Sequence, residues 1–234
     1  MEAEEWKKAL QEAAKPEKVA VLSSFFKTGK GEYGEGDVFI GVNVPDNRKV
    51  ARQFANADFY VMEEMLSSEV HEHRLSALLS LVIRYKKVRT GAEKGQIASF
   101  YLSHTKHINN WDLVDLSAEY IIGEECLRTG DYSILSRLAG SSNLWEQRIA
   151  IVSNITPIRA GKFDATLNLI EQLLHHPHDL MHKANGWMLR EIGKKDEASL
   201  LAFLDKHAGT MPRTTLRYAI ERLSPEQRQK YMKK

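Results

Sequence analysis

The chain has 234 residues, 43% of them hydrophobic and 27% charged, with a formal net charge of +2 and a single cysteine. That length supports one full domain with its own core, and no apolar run approaches the roughly 18 residues of a membrane-spanning helix. Cys126 alone excludes an internal disulfide and suits a reducing, cytoplasmic compartment; the acidic, amphipathic stretch Met1 to Lys15 is unlike a signal peptide.

Helical signals dominate from the start. Glu2–Ala14 carries apolar residues at helical spacing, and Pro16 opens a second helix whose stripe is Val19, Leu22, Phe25 and Phe26. A glycine-rich loop, Gly29–Val44, follows. No strand precedes it and it lacks the Walker spacing, so it reads as a connector. From Pro45 onward the expected helices are Asn47–Asn56, Phe59–Ser67, Val70–Lys87, Gly95–His107, Trp111–Thr129, Tyr132–Gly140, Leu144–Ile155, Phe163–Leu174, Asp179–Lys194, Glu197–His207, Thr214–Leu223 and Pro225–Met232. Gly91, Gly130, Gly161, Pro177, Gly209 and Pro212 separate them. The expectation is an all-α chain of stacked helix pairs, a HEAT-like solenoid forming a single domain over 1–234. A compact irregular bundle is the competing reading.

Charge is unevenly spread. Lys183 to Lys234 holds 12 Lys and Arg against 6 Asp and Glu, so this end is about +6 and the remainder about −4. A basic end on a near-neutral chain points to a polyanionic partner, or to a solvated helix face with surplus cations.

Three segments interleave tryptophan with charge. In Asn110–Asp115, Trp111 and Asp115 are i and i+4 and share a helix face. Asp112, nearer the helix start, reads as the capping acid, and a carboxylate in this first turn is favoured by the helix dipole. Trp145 and Arg148 are i and i+3; Lys183, Trp187 and Arg190 share a face, with Gly186 between them. Glycine inside a helix costs about 1 kcal/mol relative to alanine, so something is expected to approach the backbone there. Cations beside aromatic rings suit a sugar–phosphate backbone; taken singly, each tryptophan reads more often as core than as contact. His71-Glu72-His73 and His175-His176-Pro177-His178 lack zinc-ligand spacing. Cys126 reads as core rather than nucleophile. Neither metal nor cofactor is expected.

Taken in order, these segments resemble the hallmark helices of the AlkD-like DNA alkylation repair glycosylases. Pro16-Glu17-Lys18, the helix from Val44-Pro45 to Arg52, and Leu216–Ile220 are similar to family segments as well. The resemblance implies a HEAT-like superhelix with double-stranded DNA against a concave face. It also implies hydrolysis of the N-glycosidic bond of cationic N3- or N7-alkylpurines without base flipping; a monomer is expected because a solenoid of this kind needs no partner to bury its core. It assigns Asp115 as the catalytic carboxylate, Trp111 and Trp187 as packing against the deoxyribose-phosphate, and Arg148, Arg190 and Lys183 as phosphate contacts. Where the family carries a tyrosine, this chain has Phe25, which is placed with the DNA-binding residues and keeps the ring while losing the hydroxyl.

The chemistry is self-consistent without a cofactor. A cationic purine is already a good leaving group, so stabilising the oxocarbenium-like sugar is the main task. A carboxylate about 4 Å from that cation gains roughly 4 kcal/mol at an effective dielectric near 20, equivalent to about a thousandfold in rate. Two further readings stand beside a glycosylase: a non-catalytic binder of damaged or branched DNA, which Phe25 favours, and a helical scaffold for a protein partner, for which exposed apolar grooves would be expected.

Overall fold

The computed structural model describes residues 2–233; Met1 and Lys234, the outer ends of the two charged terminal stretches, lie outside it. The chain is all-helical, with helices making up 69% of it and packed in a repeat-like manner. Among the described residues there is no strand, only an isolated parallel bridge between Val38 and Val70. None of the described helices is long and apolar enough to cross a membrane. Contacts cluster into two units, Met1–Ile121 and Ile122–Lys234.

The first unit contains α1 (Ala3–Glu12), α2 (Val19–Phe25), α3 (Val44–Gln53), α4 (Phe59–Leu66), α5 (His71–Lys87), α6 (Gly91–Ser103) and α7 (Trp111–Asp115). Its centre is α5, whose residues from His71 to Val82 are all buried. Trp6 of α1 is fully buried, stacks on Phe54 at 4.9 Å and donates its indole N–H to Ser76 Oγ at 2.8 Å. A buried tryptophan needs such a partner for its one polar atom. Asn43 caps α3 by accepting from the Asp46 amide, and Pro45 occupies the first turn, where its missing N–H costs nothing.

The loop before α3 is a connector, as expected, but it is tightly anchored. The carboxylate of buried Glu72 accepts from the amides of Ile40, Gly41 and Val42 at 2.8–3.2 Å. Gly41 has a positive φ of 93°, and a Cβ there would collide with the Lys15 carbonyl, so glycine is required on two counts.

The second unit contains α8 (Glu124–Thr129), α9 (Ser133–Ala139), α10 (Leu144–Val152), α11 (Ile155–Arg159), α12 (Asp164–Gln172), α13 (Asp179–Lys195), α14 (Glu197–His207), α15 (Arg213–Ala219) and α16 (Pro225–Met232). Asn143 caps α10 and Ser224 forms a capping box with Gln227 at α16. The long α13 packs on α15 through Gly186. A Cβ at that position would lie 2.5 Å from Tyr218 Cβ and 2.6 Å from the Thr215 carbonyl oxygen. The close approach that the sequence suggested at Gly186 is therefore made by a neighbouring helix.

The expected continuous helix Trp111–Thr129 is instead broken. After α7 the chain turns at Leu116 and Ser117, and Glu119–Gly123 winds as a π-turn before α8 begins. Ser117 draws the chain out of register: its hydroxyl donates to the Leu113 carbonyl and pairs with buried Tyr101 Oη at 3.0 Å. Side-chain competition of this kind for backbone carbonyls bends helices.

Candidate functional site

In the first unit, α2, the Phe39–Pro45 segment, the start of α5 and α7 enclose a cavity of about 440 Å³. Phe25, Phe26, Phe39 and Trp111 supply its aromatic wall, and Asp112 and Asp115 line it beside His71. Phe26 stacks on Trp111 at 5.2 Å, and Phe25 meets Trp111 edge-on at 5.6 Å. Phe25 is 59% exposed, unusual for so large an apolar side chain. Three of the expected site residues, Phe25, Trp111 and Asp115, thus converge on one cavity.

The two aspartates of α7 differ in role. Asn110, not Asp112, caps α7 by accepting from the Trp111 amide at 2.9 Å. Asp112 is turned inward and accepts from His71 Nε2 at 2.9 Å; His71 Nδ1 donates to Asp37 at 2.9 Å. Arg74 donates to the other Asp37 oxygen at 2.6 Å, and Asn109 does so at 3.1 Å. Because α7 is only five residues long, Asp115 ends it rather than sitting in a longer helix's first turn, so the dipole stabilisation expected there does not apply.

His71 is 1% exposed, with Phe39 stacked on it at 4.6 Å and Phe26 at 5.0 Å. Burial alone opposes its charge, but the Asp112 carboxylate and the hydrogen bonds to Asp112 and Asp37 outweigh that and raise the imidazole to about 9. Burial pushes Asp37 up, and the bonds and charges of His71 and Arg74 more than offset it, leaving that carboxyl below its ordinary value. The cluster thus sets His71 and Arg74 against the side chains of Asp37 and Asp112. The Asp112 Oδ1 atom is buried with no hydrogen-bond partner, as is Arg74 Nε.

Sequence reasoning missed Asp37 and His71 in this role. Asp37 sits in the connector, and His71 was weighed only as a metal ligand. The available signal was a histidine and an arginine, i and i+3, just ahead of the largely apolar stretch Leu75–Ile83.

In the second unit, Arg148 is 5% exposed and donates to the Leu180 carbonyl at 2.6 Å, tying α10 to the first turn of α13. Trp145, on the same helix, is buried. Lys183, Trp187 and Arg190 fall on one face of α13, as their spacing predicts. Lys183 pairs with Asp179 at 2.8 Å, and Arg190 pairs with Glu221 while 19% of its side chain stays exposed. Much of the basic C-terminal charge is similarly matched: Lys194 with Glu191, Lys206 with Glu171 and Lys230 with Asp205. The histidines at 176 and 178 serve local structure, His176 bonding Gln147 and His178 capping α13.

A family model described as DNA alkylation repair enzyme matches residues 6–223. No curated protein matches the chain significantly. Two solved structures share the fold. A predicted DNA alkylation repair enzyme from Enterococcus faecalis is 17% identical, with a TM-score of 0.73 over 91% of this chain and 97% of that one. The protein smu.31 from Streptococcus mutans UA159 is also 17% identical, with a TM-score of 0.56 over 89% of this chain and 99% of its own.

Proposed function

The chain belongs to the DNA alkylation repair enzyme family, and from that premise we propose that it hydrolyses the N-glycosidic bond of cationic N3- and N7-alkylpurines in double-stranded DNA without flipping the base. The observation that carries this reading is the convergence of Trp111, Phe25 and Asp115 on one aromatic-walled cavity. An acidic side chain among rings at a low-dielectric surface suits a developing sugar cation, because electrostatic interactions strengthen where water is excluded.

In the proposed reaction the bond between C1′ and the purine nitrogen breaks, and its electron pair leaves with the base, discharging the purine's positive charge. Asp115 stabilises the cationic sugar. Water then adds at C1′ and loses a proton. Trp111 packs against the deoxyribose, and the Asp112–His71–Asp37 chain fixes the α7 start from which Trp111 and Asp115 project. Trp187 would take the matching role on α13. Lys183 would exchange Asp179 for a phosphate at little cost, because exposed ion pairs are weak, and Arg190 would exchange Glu221. Arg148, buried against the Leu180 carbonyl, supports α13 rather than reaching outward in the conformation described. A monomeric protein suffices for this chemistry.

Phe25 supports a second reading, a non-catalytic binder of damaged or branched DNA, since it offers a ring but no hydroxyl. Incubation with duplex DNA carrying N7-methylguanine or N3-methyladenine, followed by assay of released base, separates the two. Release above the spontaneous rate is expected; binding without release would favour the second reading.

A further inference from the structure

A second pocket in the first unit, of about 220 Å³, is lined by Arg48 and Arg52 of α3, Lys86 of α5, and Tyr120, over a floor of Leu79, Val82, Ile83 and Leu116. Leu116 also lines the aromatic cavity, so the two are neighbours across the end of α7. All three cations are exposed, and no acidic residue lines the pocket. This contrasts with the second unit, where Lys183, Arg190, Lys194, Lys206 and Lys230 all have carboxylate partners.

The arrangement is costly without an anion. Arg48 and Arg52 are i and i+4 on α3, a spacing at which like charges repel. Lys86 adds a third positive charge, held with its Nζ 3.8 Å from the Tyr120 ring centroid. That cation–π contact fixes the ammonium without neutralising it. Two guanidinium forks and an oriented ammonium suit phosphate oxygens.

We propose that Arg48, Arg52 and Lys86 form a phosphodiester-binding site that holds the DNA backbone beside the Trp111–Asp115 cavity, a proposal that rests on the DNA reading of that cavity. The site places phosphate recognition in the first unit, on residues outside the tryptophan-bearing segments. Its role is to fix the register of the strand; it reads no bases.

The test is equilibrium binding of the full chain to a labelled unmodified duplex across a salt series. Each lost phosphate contact lowers the magnitude of the log–log salt slope by about 0.9. The triple variant Arg48→Ala, Arg52→Ala, Lys86→Ala is therefore expected to lose roughly 2.7 from the slope and at least about tenfold in affinity at moderate salt. Lys49→Ala, on the same helix but paired with Asp46, should leave both unchanged. The altered residues are exposed, so thermal melts should match the wild type. A wild type that binds DNA and a triple variant with the same slope would overturn the phosphate site alone. A wild type that prefers an RNA duplex, or that binds no duplex, would overturn it together with the DNA reading. Absence of base release with the slope change intact would count against catalysis only, leaving the phosphate site supported.

Discussion

The imidazole of His71 donates from Nε2 to Asp112 at 2.9 Å, joining the first residue of α5 to the second residue of α7. Asp112 is flanked in the helix by Trp111 and, three residues on, by Asp115. The geometry of the cavity wall is thus fastened to the core by a buried charged hydrogen bond.

That bond makes stability depend on pH in the alkaline range. His71 is raised from 6.5 to about 9 in the folded chain. The stabilisation is fully present below pH 6.5 and is lost as the pH rises through about 9, and a shift of this size is worth roughly 3 kcal/mol. Melting temperature should fall between pH 7 and 10, and His71→Asn should flatten that fall while lowering stability at pH 7. An unchanged alkaline fall in His71→Asn would assign it to another group.

The two aspartates of α7 should separate by phenotype. Asp112→Asn weakens the charged bond to His71 and leaves Asp37 facing both cations, so it should destabilise by roughly 3 kcal/mol, as removal of one buried ion-pair partner does. Asp115→Asn leaves the Asp112–His71–Asp37 chain in place and should destabilise less than Asp112→Asn. Chemical denaturation of the two variants checks this; equal losses would contradict the division of roles.

Gly186→Ala offers a test of packing against propensity. Alanine should favour an isolated helix by about 1 kcal/mol. Here the added methyl meets the Thr215 carbonyl and Tyr218 Cβ, and forcing α13 from α15 should cost about 1–3 kcal/mol net. A lowered melting temperature is expected; a raised one would show that the helices part without strain.

Phe25→Tyr should change stability little, because the ring already lies largely in water. In a catalytic protein it should raise base release or leave it unchanged, whereas Phe25→Ala should lower release by removing the edge contact with Trp111. Release assays on the same methylated duplex report both.

Much of the helical order was legible in sequence because apolar periodicity and breakers such as Gly130 and Pro212 are local signals. Trp111 and Asp115 could be paired from their spacing alone. The break at Ser117 was not legible, since it depends on Tyr101 arriving from another helix. The partner of Gly186 was equally distant in sequence. Charge misled in a physical sense: the surplus of Lys and Arg at the C-terminal end counts residues, while the structure places two carboxylates from outside that segment, Asp179 and Glu171, beside Lys183 and Lys206. The Arg48, Arg52 and Lys86 group spans two helices and forms no cluster in sequence.

Single-turnover release of N7-methylguanine from duplex DNA, comparing the wild type with Asp115→Asn, addresses catalysis most directly. The substitution preserves shape and removes the charge, so release should fall by roughly two to three orders of magnitude, about 3–4 kcal/mol in the barrier. DNA affinity should be unchanged or slightly higher, because a carboxylate near phosphates is repulsive in the ground state. Equal release by an active wild type and by Asp115→Asn would contradict the assignment of Asp115 as the group that stabilises the sugar cation.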